Sequence, residues 1–303
     1  MMKRVLSTEI SLLILLLCGF LGRVQTGFSE NPVSPVGLPL YYWTQPTFVN
    51  FGDYLSLKLV ERIVSTHVPK YIKKRTPQKK LLAVGSILTF AADGDVIWGS
   101  GINGKRLSAK DYAFTHLDIR AVRGPLTRQF LMDVLHLETC PEGYGDPALL
   151  VPYFFPEFVR KKHPSYEYLI IPHYSEIHLF PLSEYPNVIY PTAPWNEIIE
   201  KMMDSKFVIS SSLHGIIVAE AFGIPSRLLR ITENEPLFKY ADYYLGTNRP
   251  DFQYATSVEE ALQQGGEKPF ECDLEKLYLS FPFEFWQITP QPIQELNLSG
   301  CFN

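Results

Sequence analysis

Cysteine is scarce in this 303-residue chain, and its spacing excludes more than its number does. The four cysteines stand at positions 18, 140, 272 and 301, and none forms a CxxC pair. A zinc site of the usual spacing is therefore not expected, and no metal is called for. Cys18 lies in an apolar leader, which leaves three widely separated cysteines in the body. An odd, scattered set does not make a disulfide framework, so cysteine usage fixes no redox compartment. A broad cationic excess is also missing. Lys and Arg total 28 against 32 Asp and Glu, for a formal net charge of -4. That balance argues against nucleic acid as a partner, and any anionic ligand must be met by a local cluster of cations. No internal sequence repeat is visible, which sets aside solenoids and propellers.

A long apolar run is lacking too. Lys3 and Arg4 precede an apolar stretch over residues 10–21. That length suits a signal peptide and is short for a spanning helix. Residues 1–30 are read as a signal peptide or membrane anchor and set aside from the fold. They offer a route to membrane association and leave the compartment open between a membrane or secretory location and the cytoplasm. Residues 31–39 hold three prolines and a glycine and read as a linker. What the chain does have is aromatic residues, 17 Tyr and 20 Phe, which serve cores and sugar-binding clefts alike.

Strand and helix signals alternate along the body. Strands are expected over residues 38–43, 81–85 and 95–101. A helix is expected over 54–64 with Asp53 as its cap, a short one over 87–90, and one over 126–133 with Pro125 in its first turn. The charged run 160–164 reads as a linker. Beyond it, strands are expected over 168–171, 188–190, 207–209 and 226–231, with helices over 195–203, 216–222, 258–264 and 274–279. This alternation implies an α/β fold with parallel sheets and helices on both faces. The expected division is an N-terminal Rossmann-like lobe over 31–160 and a C-terminal one over 161–303, with a cleft between them.

The most informative stretch runs from Lys206 to Pro225. The short apolar run 207–209 leads into Ser210, Ser211 and Ser212, then Leu213-His214-Gly215, then an apolar helix stopped by Gly223 and Pro225. A strand-to-helix junction turns backbone N–H groups and a positive dipole end outward, which suits phosphate or carboxylate. His214 sits in that junction, where a proton carrier is useful, although a histidine beside a glycine turn can equally be a packing residue. A second junction, Asp118-Ile-Arg120-Ala-Val-Arg123-Gly-Pro125 followed by Arg128, offers an anion clamp through the rigid guanidinium fork, and Arg123 is its best member. Asp93-Gly-Asp95 looks like the metal-nucleotide DxD of some glycosyltransferases. It precedes its strand rather than following it, and open parallel sheets bind ligands at strand C-termini, so it reads as a plain turn.

Five motifs in order carry a family resemblance. They are Asn50-Phe-Gly-Asp53, Ile97-Trp-Gly-Ser-Gly101, Val122-Arg-Gly-Pro125, Gly145-Asp-Pro147, and Ser211-Ser-Leu-His-Gly215 with Ala221-Phe-Gly-Ile-Pro225. Together they resemble the polysaccharide pyruvyl transferase family over roughly residues 38–245. The resemblance implies two lobes arranged as in GT-B glycosyltransferases. It implies transfer of a pyruvyl group from phosphoenolpyruvate to a sugar of a lipid-linked or polymeric glycan, forming a ketal. It calls for no cofactor beyond that co-substrate. His214 matches the family's histidine and becomes the candidate acid–base; Arg123 matches the donor-binding arginine. Ser211, Ser212 and Gly215 join as donor contacts, with Asn50 and Asp53, in the first-lobe turn, either structural or near the acceptor. Where this chain has Ser212 the family often has arginine, so His173 and Lys239 become candidate substitutes for the missing cation. Two other readings stay open: a glycosyltransferase using a nucleotide sugar on the same architecture, and a carbohydrate-binding protein with a degenerate site. Trp98, Tyr174 and Trp195 are the aromatics that could line a sugar groove.

Overall fold

A computed structural model of the chain describes residues 39–67 and 79–293. The signal peptide or anchor expected over residues 1–30 lies outside the described residues. Among the described residues, no helix is long and apolar enough to cross a membrane.

Two four-stranded parallel sheets carry the fold. The first holds β1 (Leu40–Tyr41), β2 (Leu81–Leu82), β3 (Val96–Trp98) and β4 (Asp118–Ala121), in that order. The second holds β5 (Leu169–Ile171), β6 (Val208–Ser210), β7 (Ser226–Leu229) and β8 (Tyr254–Ala255), again in order. Each strand pairs in parallel with the one before it, so each connection must cross back over a sheet face. This is an α/β chain with two Rossmann-like sheets, as the alternation of signals implies.

Side chains in β2, β3, β5, β6 and β7 alternate between apolar layers, as a period of two requires. Leu81, Val96 and Trp98 face one core cluster, and their neighbours Leu82 and Ile97 face another. In the second sheet Leu169, Ile171, Val208 and Leu228 face that same first cluster, while Ile170, Ile209 and Leu229 face a third. The first cluster therefore draws side chains from both sheets. It is completed by Leu149, Leu150, Val151 and Phe154 from a 3-10 turn (Pro147–Leu150) and the short helix α3 (Val151–Phe154).

Helix α1 (Phe51–His67) contributes Phe51, Leu55, Leu59 and Ile63, spaced by four and essentially free of solvent. It starts earlier than the expected 54–64. Asn50 accepts the Tyr54 N–H through its carbonyl at 3.0 Å. Asp53 consequently stands inside the first turn rather than capping it. Helix α2 (Pro125–Asp133) begins with Pro125 where its missing N–H costs nothing. Helices α4 (Trp195–Met203), α5 (Leu213–Ala221), α7 (Val258–Gln264) and α8 (Leu274–Leu279) fall close to their expected places. One expected strand fails, and strand β8 and one helix are not anticipated. Residues 188–190 form no strand, since Val188 makes only an isolated bridge to Ile170. A helix not anticipated, α6 (Phe238–Gly246), buries Tyr240, Tyr243 and Tyr244. Its aromatic and charged composition hides its periodicity.

Candidate functional site

A cavity of about 350 Å³ opens at the C-terminal ends of both sheets. Asn50, Asp53, Ser86 and Lys105 line it from the side of the first sheet, and His173, Ser212, His214 and Lys239 from the second. Its size lies at the lower end of the range for small-molecule sites.

Ser212 and His214 arrive at the N-terminus of α5. This helix is largely apolar, with Leu213 and the run from Gly215 to Ala219 buried, so it runs into the core and gives its first turn to the cavity. Ser210 ties the junction together. Its hydroxyl donates to the Ile171 carbonyl at 2.7 Å and accepts the Ser212 N–H at 3.0 Å. The Ser212 side chain makes no cap hydrogen bond and is left facing the cavity.

His214 is 12 % exposed at its side chain. It packs against the first turn of α1, where Gly52 is needed for space. A Cβ on Gly52 would lie 2.0 Å from His214 Nδ1 and 2.4 Å from Cγ. One residue along, Asn50 donates its amide to Asp53 Oδ2. Burial raises the Asp53 carboxyl above its ordinary value, against the pull of His214, Asn50 and Lys239.

The second feature is an ion cluster. Glu235 bonds Lys105 Nζ at 2.5 Å, accepts from Lys239 one helical turn onward, and stands 3.6 Å from His173 Nδ1. Burial pushes the Glu235 carboxyl up, but Lys239 foremost and Lys105 hold it below the usual range. Burial also pulls Lys239 downward, with Glu235 opposing. His173 is pushed down to about 3, by burial first and by Lys239 second, so its imidazole is neutral at physiological pH. Arg106 adds a further, exposed cation to the wall. Three cations thus face two carboxylates in the cavity lining.

Of the nine residues singled out from sequence, the structure brings six together here: Asn50, Asp53, His173, Ser212, His214 and Lys239. Three do not line the cavity. Ser211 accepts the His173 N–H at 2.8 Å through its hydroxyl and the Tyr240 hydroxyl at 2.6 Å through its carbonyl, so it holds the wall rather than forming it. Gly215 is packed under the Ser210 hydroxyl. Arg123 is fully enclosed. Its Nε donates to Asp242 Oδ2 at 3.1 Å, one terminal nitrogen to Ser86 Oγ at 2.7 Å, and the other to the Ile102 carbonyl at 2.5 Å. Gly101 makes room for it, because a Cβ there would fall 2.4 Å from the guanidinium carbon. The expected donor clamp is therefore a structural tie between α6, which carries Asp242, and the first sheet. It reaches the cavity only through Ser86.

Other expectations resolve similarly. Asp95 accepts the Ala92 and Lys80 N–H groups, and Asp93 accepts those of Thr115 and His116, so the Asp93-Gly-Asp95 carboxylates hold a turn. Among the described residues no cluster of ligating side chains suits a metal ion. Trp98 is buried with its indole N–H on the Leu277 carbonyl, and Trp195 packs on Phe155 and Phe158. Of the three aromatics considered, only Tyr174 reaches the cavity, joined there by Trp43 with ring centroids 5.5 Å apart.

Sequence reasoning passed over four residues of this region. Lys105 and Arg106 follow the Gly-rich loop, and Glu235 stands one helical turn before the candidate Lys239, an i,i+4 spacing that would have tied it to that cation. Asp146, part of the Gly145-Asp-Pro147 motif but not singled out within it, lies fully buried with Oδ2 3.7 Å from His214 Nε2.

The comparisons with known proteins bear on this arrangement. A family model described as polysaccharide pyruvyl transferase matches residues 37–232. The succinoglycan biosynthesis protein ExoV of Rhizobium meliloti (strain 1021) is 30 % identical over 244 residues, covering 74 % of this chain and 71 % of that protein. The uncharacterized protein L143 of Acanthamoeba polyphaga mimivirus is 30 % identical over 234 residues, covering 71 % and 77 %. No solved structure matches. The matched span covers both sheets up to residue 232 and takes in Asn50, Asp53, His173, Ser212 and His214, and on that match the chain belongs to the polysaccharide pyruvyl transferase family and is a transferase enzyme.

Proposed function

We propose that the chain transfers a pyruvyl group from phosphoenolpyruvate to a glycan sugar, closing a ketal across two hydroxyls, with His214 as the acid–base. The observation that carries this reading is the convergence of His214, the α5 N-terminus and three cations on one small cavity. Phosphoenolpyruvate bears a phosphate and a carboxylate, and each needs cations or N–H donors. Lys105, Arg106 and Lys239 supply the cations that Ser212 cannot. Glu235 engages Lys105 and Lys239 in the way an incoming carboxylate would, so the donor competes with it for Lys105. We take the two sheets as a GT-B-like pair, an assignment supported by the residues that each gives to the cavity.

The chemistry divides into proton steps that one imidazole can serve. His214 gives a proton to the terminal enol carbon, and the adjacent carbon becomes electrophilic. A sugar hydroxyl attacks it and returns a proton to His214. Phosphate then leaves, and a second hydroxyl closes the ring while its proton departs with phosphate. Tyr174 and Trp43 at the mouth offer ring faces to the acceptor sugar. The name of the relative involved in succinoglycan biosynthesis supports a polysaccharide acceptor. Residues 1–30 would bring the enzyme to a membrane where lipid-linked glycans are built.

The test is phosphate release from phosphoenolpyruvate with a panel of glycans. His214→Ala should lower the rate by about a hundredfold or more, as loss of a general acid–base does. Full activity in that variant removes the histidine from the mechanism. Thermal stabilisation by a nucleoside diphosphate, with none by phosphoenolpyruvate, would instead point to glycosyl transfer.

A further inference from the structure

Two polar atoms in the core next to the cavity have no hydrogen-bond partner among the described residues, and they face each other. Asp146 Oδ2 and His214 Nε2 are both buried and both unsatisfied, at a separation of 3.7 Å. Buried polar atoms are rarely left without partners, so a facing pair of them calls for an explanation. Asp146 itself is firmly held. It lies between Gly145 and Pro147, is wholly enclosed, and its Oδ1 accepts the Ala148 N–H at 2.9 Å, capping the 3-10 turn Pro147–Leu150. That turn packs directly against α5, which carries His214. The carboxylate is thus fixed by one oxygen, and its other oxygen points at the imidazole.

The opposite ring nitrogen is in a different setting. His214 lines the cavity, yet Nε2 is enclosed. Nδ1 lies close against the first turn of α1 at Gly52, and Nε2 is the nitrogen turned to Asp146.

We propose that Asp146 is the positioning residue for His214: it holds the proton on Nε2, and so makes Nδ1 the nitrogen that exchanges a proton with substrate. A carboxylate facing one nitrogen fixes the tautomer and stabilises the imidazolium without itself taking the proton. At 3.7 Å the pair stops short of a hydrogen bond, and catalytic pairs of this kind tighten when substrate binds. Proton balance follows from the geometry. The N–H bond at Nδ1 breaks as a C–H bond forms on the donor's terminal carbon, and the ring is left neutral with its Nε2–H on Asp146. The O–H bond of the attacking hydroxyl later breaks as Nδ1–H is restored. The naming of donor and hydroxyl rests on the function proposed above; the tautomer does not.

The test reads the tautomer directly, by long-range proton–nitrogen correlation on nitrogen-15-labelled protein, with the His214 signals assigned by their loss in His214→Gln. The wild-type ring should be Nε2–H in its neutral form. Asp146→Asn keeps the Oδ1 acceptor for Ala148 and places an amide donor before Nε2, so the tautomer should invert to Nδ1–H with melting behaviour close to wild type. Its kcat for phosphate release should fall about a hundredfold, with KM for phosphoenolpyruvate within about threefold. A wild-type ring found as Nδ1–H overturns the proposal, and so does a tautomer unchanged in Asp146→Asn. If that variant does not fold, the wild-type spectrum alone decides. Should the tautomer be as stated while phosphoenolpyruvate neither binds nor turns over, the donor assignment fails and the pairing stands.

Discussion

Arg123 is the residue on which sequence and structure differ most, and its removal separates the two accounts. The guanidinium is fully buried and gives hydrogen bonds to Asp242, Ser86 and the Ile102 carbonyl. Asp242 is equally buried and also accepts from Thr127, through the backbone N–H at 2.8 Å and the hydroxyl at 2.6 Å. Arg123→Ala would leave that carboxylate in the core with only the threonine to compensate its charge. Breaking a buried pair from one side costs about 3–5 kcal/mol, against roughly 0–1 kcal/mol for an exposed pair. For a chain of this size each kcal/mol lowers the melting temperature by about 2 °C, so the expected fall is roughly 6–10 °C. Calorimetry near neutral pH reads it. The double variant Arg123→Met with Asp242→Leu should recover much of the loss, because it removes both charges together. An Arg123→Ala protein that melts within about 2 °C of wild type, yet no longer gains stability from phosphoenolpyruvate, would refute the structural account and restore the arginine to the donor site.

Two further outcomes are expected. Gly52→Ala should force the His214 ring aside, since the new methyl would sit 2.0 Å from Nδ1; the rate should drop about a hundredfold with a modest loss of stability, and an unimpaired rate would show that the ring's seat is not set by α1. His173 makes the protein sensitive to acid. Its ordinary value of 6.5 is pushed down to about 3 on folding, so its contribution to stability is whole above 6.5 and is lost as the pH falls toward 3. At pH 5 the loss is about 2 kcal/mol, measurable as the difference in urea unfolding between pH 7 and 5, and His173→Asn should lack that part of the slope.

Most of the architecture is legible in local pattern. β-strand alternation and helix periodicity report burial, and burial is what these short elements share. Leu81, Leu82, Val96 and Ile97 read as strand because each faces one apolar layer or another. Residues 188–190 carry the same apolar signal, yet Val188 finds only an isolated bridge, since apolar composition records burial and not pairing. Helix α6 escapes notice for the converse reason. Its buried face is built of tyrosines, Lys239 and Asp242, residue types that usually mark a surface.

The site is legible only in part, because a motif shows which residue types recur and not which way they point. Val122-Arg-Gly-Pro125 and Ile97-Trp-Gly-Ser-Gly101 look like an anion clamp and a Gly-rich loop. In space they are one joint, with Gly101 clearing the volume that Arg123 fills and the guanidinium handed to Asp242 on a helix 119 residues away. Gly145-Asp-Pro147 reads as a turn because Asp146 does cap one, and the cap uses only Oδ1. The other oxygen points at His214, across a separation in sequence that no local pattern spans. A carboxylate can therefore hold a turn and orient a base at once, and sequence reveals the first role while hiding the second. Under the proposed function, Ser212 is not a fatal departure, for the same reason. The charge missing from the junction itself is available from Lys105, Arg106 and Lys239, which come from one loop and a helix that meet only after both sheets have packed on their common core.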